Sequence, residues 1–304
     1  MPALPAPAAT AGIAMSGGAR DTGDVPASFV VVPQWQGSGS SRAMRLADGA
    51  EAIRGDLPAS ATRVVEVPVE AGESLGTGID RFASLLAVRT RQAAALEAAS
   101  ASATGTIVTI GGDCGVELAS IAHAARAHPG LAVVWLDAHA DLNTPASSPS
   151  GAFHGMVLRA VLGEGVDGLV LPVGTVTADR VVLAGVRALD DAESDHADAQ
   201  GIARLGVDAV GPDALVAAVR ATGATDVYVH VDLDVLDPGG MSGVGYPEPF
   251  GLEVQAVTES IKALRRSFEL AGAGVTEFAP SSPGAAVEDM GTILRIIGAL
   301  TGPV

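Results

Sequence analysis

Residues 131–141 read LAVVWLDAHAD, an apolar run of strand length that ends in two aspartates and a histidine. A second run, DVYVHVDLD at residues 226–234, has the same form and ends at Asp232 and Asp234. Strands that are buried on both faces have nearly continuous apolar sequences, so both runs predict strands inside a parallel sheet. Ligands of open parallel sheets bind beyond the carboxyl ends of the strands, so these polar residues indicate a functional site there.

Similar short runs alternate with Ala-rich segments along the rest of the chain. Further strands are predicted at residues 29–32, 63–69, 106–110, 181–186 and 268–275, and helices at 79–99, 115–127, 212–221, 252–264 and 287–300. Strands that alternate with crossover helices predict a parallel sheet covered on both faces. Because no repeat or low-complexity linker interrupts this alternation, we predict one α/β domain over residues 25–304. We expect it to have three α/β/α layers and a mainly parallel central sheet.

Residues 1–24 are predicted to form a flexible N-terminal segment, because they are rich in Ala, Pro and Gly. The segment lacks the basic n-region of a signal peptide, and Met15 is an alternative start. No apolar run approaches the roughly 20 residues that a membrane-spanning helix needs. We therefore expect a cytoplasmic protein.

The charge balance and the cysteine count exclude several classes of protein. Asp and Glu number 35 against 18 Lys and Arg in 304 residues, which gives a formal net charge of −17. Nucleic acids and anionic membranes attract basic surfaces, so neither is an expected partner. The single cysteine cannot form an intrachain disulfide, which excludes a disulfide-stabilised secreted fold.

Acidic residues and one histidine follow the two central strands at alternate positions. Asp137, His139 and Asp141 have a spacing that turns all three side chains to one side, and Asp232 and Asp234 repeat it. Burying four carboxylates together is costly unless cations compensate their charge. An oxygen-rich donor set with one or two nitrogens suits Mn²⁺ better than Zn²⁺. The repeated pattern therefore favours a metal site over solvated loop acids.

Five motifs occur in an order that resembles the arginase/agmatinase (ureohydrolase) family of binuclear manganese hydrolases. They are GGDC (111–114), WLDAHADLNTP (135–145), SGAFHGM (150–156), HVDLDVLDP (230–238) and TEFAP (276–280). The resemblance extends from about residue 30 to residue 299 and implies two Mn²⁺ ions per subunit. In this comparison Asp137 and Asp232 match the carboxylates that bridge both metals. Asp141 matches a ligand of the first metal, and His139 and Asp234 match ligands of the second.

Cys114 departs from the family pattern, because a histidine that binds the first metal usually occupies this place. A thiolate is a softer donor and prefers Zn²⁺ or other thiophilic ions. Three interpretations stay open: Cys114 is a ligand that shifts the metal preference, the first metal binds weakly or not at all, or Cys114 is an inert buried thiol. His230 precedes Asp232 by two residues, and it is either a partner of the ligands or an ordinary strand histidine.

The resemblance implies that a metal-bridging hydroxide attacks the guanidino carbon of the substrate and that urea and an amine are released. Asp141 matches the acid that accepts the proton of this hydroxide. His154 matches a histidine that carries protons to the leaving amine, a role that suits a pKa near neutrality. Glu277 matches the carboxylate that clamps the guanidinium.

Further residues match the positions where arginases bind the amino-acid end of the substrate. Asn143 and Ser150 match the residues that bind the α-carboxylate, although both are also common turn formers. Asp190 and Glu193 match the acids that receive the α-amino group. We therefore expect L-arginine or a related guanidino acid as the substrate.

Two positions depart from the arginase pattern, and other functions stay open. Ala152 stands where arginases have an asparagine, and Tyr246 stands where a threonine is usual. Agmatinase, guanidinobutyrase and formimidoylglutamase activities are alternatives, as is a non-catalytic relative with a degraded first metal site. By analogy with the family we expect a homo-oligomer, a trimer or a hexamer.

Overall fold

Eight strands form one parallel sheet in the part of the chain that the computed structural model describes, namely residue 1 and residues 27–102 and 105–304. The segment predicted to be flexible, residues 1–24, lies outside the described residues except for Met1. The strands are β1 (Ser28–Val32), β2 (Thr62–Val64), β3 (Ile107–Gly111), β4 (Ala132–Leu136), β5 (Val181–Ala184), β6 (Ala203–Leu205), β7 (Asp226–Asp232) and β8 (Glu269–Thr276). Their order in the sheet is β2-β1-β3-β8-β7-β4-β5-β6.

The described residues form eight α-helices that cover both faces of the sheet; the first seven connect the strands, and the eighth follows the last strand. They are α1 (Arg45–Gly55), α2 (Phe82–Ser100), α3 (Glu117–Ala127), α4 (Val157–Val161), α5 (Asp191–Gln200), α6 (Pro212–Ala221), α7 (Val254–Ser267) and α8 (Pro283–Thr301). The apolar side chains of α1, α6, α7 and α8 pack on one face, and those of α3, α4 and α5 pack on the other. The predicted three-layer α/β/α fold is confirmed, and every strand pair in the sheet is parallel.

The central strands are apolar on both faces because helices cover both sides of them. All five residues of β4 are buried, and so are six of the seven residues of β7. Trp135 and Tyr228 are the largest fully buried side chains, and both belong to the core on the side of α3. The continuous apolar sequence of these strands thus corresponds to the interior position that it predicted.

The register of the sheet brings the carboxyl ends of four strands together. Leu136 of β4 lies opposite Val231 of β7, so the next residues, Asp137 and Asp232, are neighbours. Asp232 in turn lies opposite Thr276 of β8. The polar residues that follow these strands therefore share one edge of the sheet.

The helices of the described residues include none that is long and apolar enough to cross a membrane.

Candidate metal centre

The loops that follow β3, β4, β7 and β8 place possible metal ligands at the carboxyl edge of the sheet. Within each of two groups, the donor atoms lie within 4.8 Å of one another. The Cys114 cluster consists of Cys114, Asp137, His230 and Asp232, and the His139 cluster consists of Asp137, His139 and Asp234. Asp137 belongs to both clusters, so its carboxylate could bridge two cations.

Cys114 follows strand β3 in the sequence, and its side chain is fully buried. Its thiol donates a hydrogen bond to Asp232 Oδ2 at 3.1 Å and contacts the Thr276 hydroxyl at 3.1 Å. The Sγ atom is 3.7 Å from Nε2 of His230. Burial, and then the charge of Asp232, raise the pKa of the Cys114 thiol well above its ordinary value. Without a cation the group is therefore a neutral thiol.

The His139 cluster is more open to solvent. His139 Nδ1 lies 3.0 Å from Asp234 Oδ2 and 3.5 Å from Asp137 Oδ1, and the His139 side chain is 30% exposed. Backbone amides hold the carboxylates in place: the His139 N–H donates to Asp137 Oδ1 at 2.6 Å and the Ala138 N–H donates to Asp234 Oδ1 at 3.1 Å. The cluster thus offers carboxylate oxygens and one imidazole, a donor set that suits Mn²⁺.

Three carboxylates of the centre, those of Asp141, Asp232 and Asp234, are in an environment that disfavours their charged forms. Burial and the neighbouring carboxylates raise the pKa of Asp141 and Asp232 well above the ordinary value, and they raise the pKa of Asp234 to about 6. Oδ2 of Asp141 is buried and has no hydrogen-bond partner among the described residues. A divalent cation would compensate these charges and satisfy this oxygen, so the residues fit a metal.

The backbone is strained at two of the predicted site residues. Asp141 has φ of 53° and Glu277 has φ of 66°, in the left-handed region that side chains other than glycine rarely adopt. Such strain costs of order 1–3 kcal/mol and persists where the surrounding structure enforces it. Both residues are buried, so the surrounding structure maintains this backbone conformation.

His154 and Glu277 form a pair beside the two clusters. His154 Nδ1 is 3.4 Å from Glu277 Oε1, which also accepts a hydrogen bond from the Cys114 backbone N–H at 3.2 Å. Burial opposes protonation of His154, but the hydrogen bond and charge of Glu277 outweigh it and raise the pKa of the imidazole. The ring of Tyr246 lies over His154 with 5.0 Å between centroids. The half-buried Tyr246 therefore packs against the imidazole of this pair.

The residues predicted to bind the amino-acid end of a substrate lie partly in contact with one another. Asn143 Nδ2 donates to Asp190 Oδ2 at 2.7 Å. Asp190 and Glu193 form a capping box at the start of α5, and Glu193 Oε1 also accepts from the Leu142 N–H at 3.0 Å. Ser150 is exposed, and its hydroxyl accepts from the Ala152 N–H at 3.2 Å. Substrate binding by these four residues stays a prediction.

Buried side chains of the core contact the residues of the two clusters, and these contacts were not predicted from the sequence. Trp135 Nε1 donates to Asp137 Oδ2 at 2.9 Å, and the Trp135 ring stacks on His230 at 3.6 Å. Glu117 of α3 is fully buried, and its Oε2 accepts from the Tyr228 hydroxyl at 2.6 Å. The period-two alternation of β4 could have indicated Trp135, because it shares a strand face with Asp137. No sequence signal links Glu117 to the site, because it lies 111 residues before Tyr228.

Replacing Gly274 with Ala is expected to destabilise the protein by about 1–3 kcal/mol, the usual cost of overpacking a core. A Cβ at this position of β8 would lie 1.7 Å from Glu117 Oε1, far inside van der Waals contact. Urea unfolding followed by circular dichroism measures the change. Gly291→Ala in α8 is the matched control, because no atom lies within 4 Å of its Cβ position and Ala favours a helix. An unchanged midpoint for Gly274→Ala would show that Glu117 moves freely.

The topology and the two clusters define the class of this protein: a parallel α/β protein with a metal centre candidate at the carboxyl edge of its sheet. The sequence model of the arginase family matches residues 39–289. The chain belongs to the arginase family, and the resemblance inferred from the five motifs is confirmed.

Individual relatives agree with this assignment. The arginase of Bacillus caldovelox is 36% identical over 156 residues, which are 48% of this chain and 52% of that protein. The arginase of Bacillus subtilis is 33% identical over 187 residues, which are 58% of this chain and 61% of that protein. The chain thus matches between half and two thirds of the length of these curated relatives. The structure of Entamoeba histolytica arginase with L-ornithine has a TM-score of 0.79 at 21% identity, covers 91% of this chain and 98% of its own, and shares the fold.

Proposed function

We propose that the protein is a metal-dependent amidinohydrolase that cleaves the guanidino group of L-arginine or a related guanidino acid to urea and an amine. The single observation that supports this most strongly is the position of Glu277 beside the clusters. Its Oε2 is buried and has no hydrogen-bond partner among the residues described, while Oε1 is held by the Cys114 N–H. A buried carboxylate oxygen without a donor is suited to a planar cation, and guanidinium binds carboxylates in this way.

The two clusters would hold two divalent cations, with Mn²⁺ proposed for the oxygen-rich His139 cluster. Asp141 belongs to neither cluster, and its unpartnered Oδ2 would be a further ligand of the first metal, as the family resemblance implies. Bound divalent cations supply a nucleophilic water at neutral pH and Lewis-acid stabilisation of the developing charge. The need for such cations follows from the buried carboxylates, whose pKa values are raised in their absence.

Protein side chains then orient the substrate and transfer protons. Glu277 orients the guanidinium so that its carbon faces the Cys114 cluster and the His139 cluster. His154 holds a proton next to Glu277 and can donate it to the leaving amine, which must be protonated to depart. Its side chain is 18% exposed, so the proton can be replaced from solvent. Asp141 can accept the proton that the attacking water loses.

Substrate assays of the full chain test this proposal. The chain is treated with a chelator, reloaded with Mn²⁺, and tested for urea release from L-arginine, agmatine and guanidinobutyrate and for formamide release from formiminoglutamate. We expect turnover of L-arginine or another guanidino acid only after reloading. A preference for agmatine would contradict the assignment of a guanidino acid as the substrate. No turnover of any of these compounds would contradict the proposal that the protein is an amidinohydrolase.

Asn143→Ala should selectively impair the hydrolysis of guanidino acids. If Asn143 contacts the α-carboxylate, the loss of a hydrogen bond to a charged group costs about 1.5–3 kcal/mol, or roughly 10- to 100-fold in kcat/KM. Agmatine has no carboxylate, so its kcat/KM serves as the internal control for damage to the site. Equal losses for both substrates would show that Asn143 only supports Asp190, to which it donates at 2.7 Å.

A further inference from the structure

His230 points its imidazole into the Cys114 cluster. The side chain is fully buried, and Nε2 lies 3.7 Å from Cys114 Sγ and 3.8 Å from Asp137 Oδ2. Cys114 Sγ is in turn 3.1 Å from Asp232 Oδ2. One thiol, one imidazole and two carboxylates therefore converge on one point at the floor of the site.

Three donor–donor distances in the Cys114 cluster are close to those of a tetrahedral metal site. Typical zinc bond lengths of about 2.3 Å to sulfur and 2.0–2.1 Å to nitrogen or oxygen put tetrahedral donor atoms about 3.3–3.6 Å apart. The Cys114–Asp232, Cys114–His230 and His230–Asp137 donor distances in the cluster are 3.1, 3.7 and 3.8 Å. These three distances lie within about 0.5 Å of the tetrahedral values, and all four donor atoms lie within 4.8 Å of one another.

The other ring nitrogen of His230 faces a carboxylate. Nδ1 lies 3.6 Å from Glu117 Oε1, and neither atom has a hydrogen-bond partner in the described part of the chain. Metal-binding histidines usually direct their second ring nitrogen to a carboxylate, which fixes the ring and strengthens the ligand. The Tyr228 hydroxyl fixes Glu117 from the other side at 2.6 Å, and Trp135 stacks on the imidazole.

We propose that Cys114, Asp137, His230 and Asp232 form a thiolate- and imidazole-containing site for a thiophilic divalent cation of the zinc class. On binding, the thiol proton leaves to solvent and the sulfur forms a bond to the cation. The soft donors make this site selective against Mn²⁺, whereas the His139 cluster keeps the oxygen-rich donor set that Mn²⁺ prefers. This inference rests on the proposed function, because it assigns the donors and the metal class of one of the two positions.

Cobalt(II) absorption tests the proposal without an activity measurement. The chain has one cysteine, so any thiolate-to-cobalt charge-transfer band in the near ultraviolet reports on Cys114 alone. We expect metal-free full-length protein to develop this band on addition of Co²⁺, with intense visible bands of a tetrahedral ion, and Zn²⁺ to displace both. Excess Mn²⁺ should leave both unchanged.

Three variants identify the ligands. Cys114→Ser should lose the near-ultraviolet band, and His230→Gln should keep it with weaker, altered visible bands. Glu117→Gln should keep the site but bind Co²⁺ about 10- to 100-fold more weakly, as is typical for partners of metal-binding histidines. His196→Gln, which changes a histidine of α5 outside both clusters, is the matched control and should behave like the parent. If His230→Gln does not fold, Cys114→Ser and Glu117→Gln still test the proposed metal site.

Specific results would overturn the proposal. Absence of the thiolate band, or displacement of Co²⁺ by Mn²⁺ as readily as by Zn²⁺, contradicts a thiophilic site. Unchanged Co²⁺ affinity in both His230→Gln and Glu117→Gln contradicts the role of the imidazole. Hydrolysis of guanidino acids without a thiolate band would leave the proposed function in place and remove this inference. A thiolate band in a protein that cleaves no amidine would support this inference and contradict the proposed function.

Discussion

Asp232→Asn is expected to abolish amidine hydrolysis and to weaken metal binding by about 10²- to 10⁴-fold. Asp232 Oδ2 accepts from the Cys114 thiol and Oδ1 accepts from the Asp234 N–H at 2.7 Å, so the carboxylate stands between the two clusters. Asparagine keeps the size and one acceptor but removes the charge that a cation would pair with. Breaking a buried ion pair by removing one partner typically costs 3–5 kcal/mol, which gives the stated range.

The same substitution is expected to stabilise the metal-free protein. Without a cation, Asp232 shares a buried site with Asp137 and Asp234, and burial, followed by the charges of Asp234 and Asp137, raises its pKa. Removing one of these charges should therefore raise the melting temperature of the chelator-treated variant while its metal content falls. Asp208→Asn, on an exposed residue, controls for the loss of an acid. A lower melting temperature together with full metal content would contradict both parts of this prediction.

The central sheet could be predicted from sequence because its strands have continuous apolar sequences. β4 and β7 were predicted nearly to their ends, and the parallel arrangement followed from the alternation of strands with helices. The strand predicted at residues 63–69 was wrong in length, since β2 ends at Val64. It lies at the edge of the sheet, and the Pro68 that follows has no N–H to donate to a neighbouring strand.

Three helices, α1, α4 and α5, and one strand, β6, were not predicted from the sequence. Helix α4 and strand β6 are short, and α5 lacks a strong periodic pattern. Helix α5 reads DAESDHADAQ and buries little more than Ala197 and Glu193. Its stability comes from the capping box of Asp190 and Glu193, a local hydrogen-bond pattern. The resemblance to arginases implies that these two acids bind the substrate. A pair of acids three residues apart is compatible with both roles, so sequence alone does not choose between them.

The candidate site was predictable where its residues follow strands and unpredictable where they meet through the core. Asp137, His139, Asp232 and Asp234 come together because parallel strands end at one edge. Glu117 and His230 meet because α3 packs across β7, and no local pattern encodes this contact. The sequence therefore supports two interpretations of His230 equally. It is either an ordinary strand histidine or a partner of the ligands.

Glu277→Gln is expected to lower kcat/KM for guanidino substrates by about 30- to 4,000-fold while the metal content stays unchanged. The substitution preserves shape and an oxygen that can accept from the Cys114 N–H, so the loop keeps its contact. It removes the charge that pairs with guanidinium, and truncating one partner of a buried charge pair costs about 2–5 kcal/mol. Glu277 belongs to neither cluster, so metal analysis should give the parent value.

The division of this loss between KM and kcat follows from the contact of Glu277 with His154. If the carboxylate only binds the guanidinium in the ground state, KM rises and kcat is unchanged, because uniform binding has been removed. The charge of Glu277 also raises the pKa of His154, so its removal leaves the imidazole less protonated near neutral pH. We therefore expect kcat to fall as well, and to recover partly as the pH is lowered. Glu288→Gln, on an exposed residue of α8, should leave both constants unchanged. A rise in KM with a pH-independent kcat would show that His154 acts without Glu277.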